Sequence, residues 1–294
     1  MEQAILDPAK YSITDLSIDT RFADQYNKGT ADFTIRLPDT YKNIMRLRLS
    51  SVEVPLVEYT FSERRRNVTF AVRIASGAPS GYGPVMSVTI PSGNYSAVEL
   101  AAAVQDGLQA ADPAAGFTCI YDSVADRFIF ECSTAVFRIC LLDPGASSTG
   151  KTRYWGLGYY MGFRKQVLIG AATYTGTQPP QLGPSSYYLL QVSCPDAVDT
   201  TVHATGAQSS IPALAKIVLR QGVYAMQFDN GTNLVRKEIV FAGPTNVGQM
   251  RIRLVDPQGD LVDIGDVDWS MTFEITAVTS SEKYADLAGA FGRS

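Results

Sequence analysis

The most specific chemical motif in this sequence is Gly145-Ala-Ser-Ser-Thr-Gly-Lys-Thr152, which matches the phosphate-binding pattern G-x-x-x-x-G-K-[ST]. In such a loop the backbone N–H groups surround the phosphates. Lys151 would contact the β- and γ-phosphates, and Thr152 would ligate Mg²⁺. The apolar run at residues 136–142 supplies the strand that must precede the loop.

The helix that must follow this motif is not predicted. Residues 152–163 contain three glycines, and each glycine inside a helix costs about 1 kcal/mol relative to alanine. Without a helix N-terminus, no aligned backbone dipole stabilises bound phosphate. We therefore interpret Gly145, Gly150, Lys151 and Thr152 as a Gly/Ser turn, and expect neither a nucleotide cofactor nor enzymatic activity.

Other catalytic or metal-binding patterns are incomplete. His203 is the one histidine of the chain, and no Gly-x-Ser-x-Gly nucleophile elbow accompanies it. Asp263, Asp266 and Asp268 lack the full ligand pattern of a calcium loop. The four cysteines show no C-x-x-C pairing. We expect no metal site and interpret these residues as turn, surface or core positions.

Two groups of residues are candidates for contact with a partner. The basic cluster Arg64, Arg65 and Arg66 lies between two predicted strands, where it would contact phosphate or an acidic protein, or lie in an exposed loop. The aromatic residues that follow the glycine-rich turn form the second group; they are Tyr154, Trp155, Tyr159 and Tyr160. The net charge of −4 argues against direct binding of nucleic acid.

Alternating apolar residues predict that strands position these groups. Met250, Ile252 and Leu254 share one face, and the intervening arginines point outward. In residues 44–54 the apolar parity changes at Ser50-Ser51, which predicts a β-bulge, and Pro55 ends that strand. An Asn-Gly turn at residues 230–231 predicts a hairpin between residues 223–228 and 234–241.

One segment predicts a helix. Ser96 and Glu99 form a capping box, and apolar residues follow at helical spacing over residues 97–110. The predicted fold class is mostly β: an antiparallel, jelly-roll-like β-sandwich with this one short capping helix. Residues 1–29 are predicted to form an N-terminal arm, residues 30–279 the β-sandwich body with one or two sub-domains, and residues 280–294 a C-terminal tail.

Several segments together resemble the minor capsid proteins of large icosahedral double-stranded DNA viruses of the chlorella-virus type. They are Leu49-Ser-Ser-Val-Glu-Val-Pro55 with Tyr59-Thr-Phe-Ser62, Val88-Thr-Ile-Pro-Ser-Gly-Asn-Tyr-Ser96, residues 156–163, and residues 250–256 with 269–275. Their order along the chain is similar to that of the family. At residues 56–58 the chain departs from the family pattern, which tends to carry an Asn there.

The resemblance implies a structural minor capsid protein that cements or bridges capsomers. Its expected partners are the major capsid protein and other minor capsid proteins, with self-association also open. The expected location is the inner face of the virion capsid after synthesis in the host cytoplasm. The sequence lacks a secretory signal and any apolar run long enough to span a membrane. Two alternatives stay open: a lectin-like or receptor-binding module on the virion surface, and a nucleotide-binding protein that uses Lys151.

Overall fold

The computed structural model describes residues 11–76, 81–142, 156–194, 213–232, 238–257 and 259–279. These residues fall into two compact units. Unit 1 takes its described residues from Met1–Glu58 and Ser185–Ser294, and unit 2 from Tyr59–Pro184. Described pairings between named strands are antiparallel, and only one helix exceeds four residues among the described elements. The predicted mostly-β, antiparallel fold class is confirmed.

Unit 1 is built on one hydrogen-bonded sheet. Its strands occur in the spatial order β1-β15-β3-β14-β11-β12, while β2 and β13 also pair with β3. The strand bounds are β1 Tyr11–Asp19, β2 Gln25–Tyr26, β3 Asp32–Pro55, β11 Tyr187–Ser193, β12 Ala215–Val218, β13 Met226–Asp229, β14 Glu238–Val255 and β15 Ser270–Val278.

The 24-residue strand β3 belongs to two halves of this sheet. Its first part pairs with β2 and with the C-terminal part of β14. Its second part pairs with β15 on one side, and with the start of β14 followed by β13 on the other. Side chains from both halves, among them Ile18 and Leu190, pack in one hydrophobic core. Shared long strands therefore join the two halves around that core.

The predicted bulge lies where the apolar parity of β3 changes. Ser51 pairs with Thr272, whereas Phe273 pairs with Leu49, so Ser50 is the extra residue. Leu49 and Val52 are consequently both buried in the core. Strand β3 ends at Pro55 as predicted.

The start of unit 1 belongs to the sheet. Residues 11–29 lie within the predicted N-terminal arm. They include strand β1, a short 3-10 helix at Thr20–Phe22 and strand β2. Thr20 and Trp269 tie this segment to β15, because the Thr20 amide donates to the Trp269 carbonyl at 3.0 Å. The Trp269 indole N–H donates to the Thr30 carbonyl at 2.8 Å. Residues 1–10 and the predicted tail at 280–294 lie outside the described residues.

Unit 2 has two sheets and a helix around its own core. Strands pair in the orders β10-β7-β6 and β5-β4-β8-β9. The bounds are β4 Thr69–Ile74, β5 Met86–Thr89, α1 Ala97–Ala111, β6 Phe117–Asp122, β7 Arg127–Cys132, β8 Phe137–Cys140, α2 Leu157–Tyr160, β9 Val167–Ala171 and β10 Thr173–Thr175.

Helix α1 begins with the predicted capping box. The Glu99 amide donates to Ser96 Oγ, and the Ser96 amide donates to Glu99 Oε2 at 2.8 Å. Leu100, Val104 and Leu108 are buried against the unit 2 core. The helix therefore closes this core with a continuous apolar stripe.

A candidate protein-protein interface

In strand β13 the apolar side chains are exposed and the polar side chains are buried, which is the reverse of an ordinary surface strand. Met226 and Phe228 are 53% and 57% exposed, whereas Gln227 and Asp229 are only 4% and 5% exposed. Tyr224, just before the strand, is 66% exposed. Single exposed apolar side chains are common on proteins, but a contiguous group of them marks a site of interaction. We call Tyr224, Met226 and Phe228 the β13 surface.

The buried polar side chains of β13 have hydrogen-bond partners in their buried positions. Gln227 Oε1 accepts from the Arg220 amide at 3.0 Å, and Gln227 Nε2 donates to the Phe228 carbonyl at 3.2 Å. Asp229 Oδ1 accepts from the Gly231 amide at 2.8 Å. Because buried polar groups are stable only when hydrogen-bonded, these bonds fix the orientation that turns Met226 and Phe228 outward.

The outer face beside the β13 surface is polar and acidic. Phe228 is in register with Glu53 of β3, Glu53 with Ser270 of β15, and Ser270 with Asp19 of β1. Ser270 Oγ donates to Glu53 Oε2 at 3.1 Å. One row across four strands thus leads from an aromatic side chain at one end to a carboxylate at the other.

A second charged group lies on the same outer face. Arg46 Nε donates to Glu238 Oε2 at 2.8 Å, and a guanidinium nitrogen of Arg46 lies 3.9 Å from Glu274 Oε1. Arg48 lies at the same distance from that oxygen. Asp15 of β1 is directly in register with Glu274, so two carboxylates lie side by side. The two arginines contact Glu238 and Glu274, and Arg21 pairs with the Asp19 carboxylate at the end of β1.

In unit 2 the fold brings together two predicted partner-contact groups. Burial is the main influence on the pKa of the Tyr160 hydroxyl and raises it, whereas the charge and the hydrogen bond of Arg65 lower it. Tyr160 also packs against Phe61, with ring centroids 5.3 Å apart, and edge-on against Tyr159. Arg65 and Tyr160, 95 positions apart in the sequence, therefore form one cluster.

The basic cluster itself forms a turn. The Arg66 amide donates to the Glu63 carbonyl at 3.0 Å, and Arg66 has a φ of 52°. Arg64 is exposed, whereas Arg65 and Arg66 are partly buried. The Arg65 amide donates to Ser62 Oγ at 3.2 Å. The hydrogen bonds thus orient Arg64 to solvent and Arg65 toward the aromatic cluster.

The phosphate-loop match falls outside the described residues, and so do Gly145, Gly150, Lys151, Thr152, Tyr154 and Trp155. The flanking elements are described. Strand β8 precedes the match as predicted, and α2 follows as a helix of four residues. Strand β9 begins at Val167. Residues 156–171 therefore contain no long helix of the kind that follows a phosphate-binding loop.

Within the described ranges, no group of three or more His, Cys, Asp or Glu side chains is placed to hold a metal ion. Asp268 Oδ1 accepts from the Thr20 hydroxyl at 3.0 Å, which gives it a structural role. The four cysteines are free thiols, and burial raises the pKa of Cys119. His203 lies outside the described residues. No helix in the described part of the chain is long and apolar enough to cross a membrane.

Sequence reasoning identified the strand that contains Met226 and Phe228, but missed its orientation and its partner. The Asn-Gly turn predicted a hairpin with the next strand, whereas β13 pairs with β3. The alternation of apolar and polar residues was visible at 226–229, and the usual rule assigns the apolar set to the core. The burial of Gln227 and Asp229, together with their hydrogen bonds, shows that the opposite face is buried.

Comparison with known proteins yields a structural similarity but no family. No family model matches the chain, and no curated protein matches it. Among solved structures it is similar to the mavirus penton protein, with a TM-score of 0.47 and 12% sequence identity. That similarity covers 90% of this chain and 98% of the mavirus chain. At this identity and TM-score the likeness assigns neither a family nor a function.

Proposed function

We propose that this chain is a structural protein of a viral capsid, in which it cements or bridges capsomers as a minor capsid protein. The β13 surface is the observation that carries the proposal. The hydrogen bonds of the buried Gln227 and Asp229 go with the outward orientation of Met226 and Phe228. A contiguous group of exposed apolar side chains marks a site of contact with another surface.

The sequence segments that resemble minor capsid proteins support the same role. They coincide with elements that build the two units. Leu49–Pro55 forms the end of β3, and residues 88–96 lead from β5 into the cap of α1. Residues 250–256 and 269–275 include the buried ends of β14 and β15. The resemblance therefore concerns the framework of the fold.

The proposal includes the absence of enzymatic activity and a location in the virion. It is tested by incorporation into particles. The variant Tyr224→Ser/Met226→Thr/Phe228→Thr changes only exposed side chains, so we expect a folded chain with an unchanged thermal midpoint. We also expect it to be depleted from purified virions relative to the wild-type chain. Normal incorporation of this folded variant would overturn the proposal.

Val124 provides a matched control. It is 97% exposed at the turn between β6 and β7, yet it is a single apolar side chain without a contiguous group. Val124→Thr should therefore incorporate like the wild-type chain. Antibody labelling of intact and disrupted particles then separates an inner-capsid protein, which is labelled only after disruption, from a receptor-binding module on the surface.

A nucleotide titration tests the enzymatic alternative. We expect no saturable, Mg²⁺-dependent binding of ATP by the full chain. Saturable binding that is lost in Lys151→Ala would show that the phosphate-loop match is functional, and would replace the structural role with a nucleotide-dependent one.

A further inference from the structure

Strand β1 is an edge strand with an unusually regular ladder. It pairs with β15 over nine consecutive residues, from Tyr11–Val278 to Asp19–Ser270, without a register shift. No described strand pairs with its other edge. Long regular edges invite the addition of another strand, and proteins that avoid it use bulges, prolines or charged side chains, lysine above all. Strand β1 has no bulge, proline or lysine, and its only charged side chains are Asp15 and Asp19.

The hydrogen bonds that β1 shares with β15 show which backbone groups of β1 point away from the sheet. The Thr20 amide donates to Trp269, one position beyond the Asp19–Ser270 pair. Backbone groups on one strand alternate in direction. The amides of Thr14, Leu16 and Ile18 therefore point toward β15. Those of Ile13, Asp15 and Ser17 point away from the sheet, and they are the groups that an added strand would bond.

The side chains beside this edge select the chemistry of an added strand. Ile13 is 55% exposed. Asp15 is exposed and adjacent to Glu274, whose nearest described cations, Arg46 and Arg48, lie on the side of β3. A cation opposite Asp15 would pair with its carboxylate, and an apolar residue opposite Ile13 would cover that side chain.

A second copy of β1 does not fit this edge. The strand carries Asp15 and Asp19 and no basic residue. Antiparallel pairing of two β1 strands would place carboxylates directly opposite each other in the registers that align Asp15 with Asp15 or with Asp19, and in no register would it place a cation of β1 opposite Asp15.

We propose that the outer edge of β1 is a strand-addition site for an extended segment of a partner protein that places a lysine or arginine opposite Asp15 and an apolar residue opposite Ile13. This inference deepens the proposed function and rests on it only for the partner being another capsid protein. Main-chain hydrogen bonds supply the affinity in this mode of recognition, and the side-chain pairs supply the specificity.

The first test is amide hydrogen exchange in the isolated full chain. The amides of Thr14, Leu16 and Ile18 should exchange slowly, whereas those of Ile13, Asp15 and Ser17 should exchange fast. Slow exchange at all six amides would mean that the chain covers this edge itself, and would overturn the inference.

The second test uses two synthetic nine-residue peptides as probes, Thr-Val-Thr-Lys-Val-Lys-Thr-Val-Thr and its counterpart with glutamate in place of lysine. At low salt the full chain should bind the lysine peptide more tightly. Asp15→Lys should reverse the preference. In each chain the dissociation constants of the two peptides should differ by about threefold to fivefold, the size of one exposed cross-strand ion pair. Equal binding of both peptides, or binding of neither, would overturn the inference.

Proline substitution separates edge pairing from simple charge attraction. Ser17→Pro removes an outward N–H, which edge strands tolerate, so the chain should stay folded while peptide binding is abolished. Ser17→Ala keeps the N–H and should bind like the wild-type chain. Unchanged peptide binding in a folded Ser17→Pro chain would contradict the site. These readouts do not depend on incorporation into virions, so failure of this site and failure of the capsid role are distinguishable.

Discussion

Arg251 holds the buried carboxylate of Asp32 by two hydrogen bonds, from Nε at 2.8 Å and from a terminal nitrogen at 2.7 Å. Asp32 is 2% exposed, and its register partner Arg253 places Nε at 3.5 Å from the same carboxylate. Asn27 adds a hydrogen bond at 3.2 Å. This group ties the start of β3 to β14.

Removing the guanidinium should destabilise unit 1. In Arg251→Ala the Asp32 carboxylate stays buried but keeps only Arg253 and Asn27, and we expect a loss of about 1–3 kcal/mol in the free energy of unfolding. Arg251→Lys keeps the charge but not the bidentate geometry, so its loss should be smaller. Urea unfolding measures both. Equal stability of Arg251→Ala and the wild-type chain would show that the pair contributes nothing.

Acid should remove the contribution of Asp32. Burial alone would raise its pKa, but the hydrogen bonds from Arg251 and Asn27 and the charges of Arg251 and Arg253 outweigh burial, so the pKa is lowered. A lowered pKa stabilises the fold above the unfolded value of about 3.9, and this contribution is lost as the pH falls through the folded value.

The variant Asp32→Asn isolates this effect. The difference in stability between the wild-type chain and the variant should be complete at pH 6 and should shrink below about pH 4. Urea midpoints at a series of pH values measure it. A difference that stays constant down to pH 3 would contradict the assigned pKa direction.

Gly231 lies close to the backbone of strand β3 at its bulge, and a substitution at Gly231 tests this contact. Its φ is 81°, and a Cβ atom at this position would lie 2.6 Å from the carbonyl oxygen of Ser50. Gly231→Ala should therefore cost about 1–3 kcal/mol, because both the backbone conformation and the contact are strained. Gly222→Ala is the control within unit 1, since its Cβ would meet nothing within 4 Å. Thermal unfolding of the two variants should differ clearly; equal midpoints would refute the close approach.

The capping box offers a separate test in unit 2. Ser96→Ala removes the acceptor for the Glu99 amide, and we expect a loss of about 1 kcal/mol in the free energy of unfolding. Ser96→Asp retains an acceptor and should restore most of the stability. Denaturant unfolding followed by circular dichroism checks both variants. A Ser96→Asp chain no more stable than Ser96→Ala would argue against capping.

The sequence predicted features that follow from local pattern. The Ser50 bulge was predictable because buried side chains of a strand must share a face, so a parity change requires an extra residue. The cap of α1 was predictable because Ser96 and Glu99 act within one turn. The β6–β7 hairpin follows from local pattern too, because strand-forming residues flank the turn at residues 122–126, and it pairs from Phe117–Cys132 to Asp122–Arg127.

Features that depend on distant partners were not predictable. Strand β1 has few apolar residues, and its pairing with β15 joins positions separated by most of the chain. Strand β10 lies in residues 170–184, where the Gly- and Pro-rich composition favours a loop, yet it pairs with β7. The orientation of β13 depends on hydrogen bonds of Gln227 that no local pattern encodes. These elements decide where the candidate interface lies.

The placement of unit 2 within the sequence of unit 1 sets an order of events during synthesis. Strands β1 to β3 leave the ribosome first, but their partners β14 and β15 follow only after Tyr59–Pro184 has been made. Unit 2 has a continuous sequence and is free to fold in that interval. The long apolar-patterned strand β3 meanwhile remains without its main partners, a state prone to aggregation. Slower translation lengthens this exposure, so we expect it to lower the yield of folded chain.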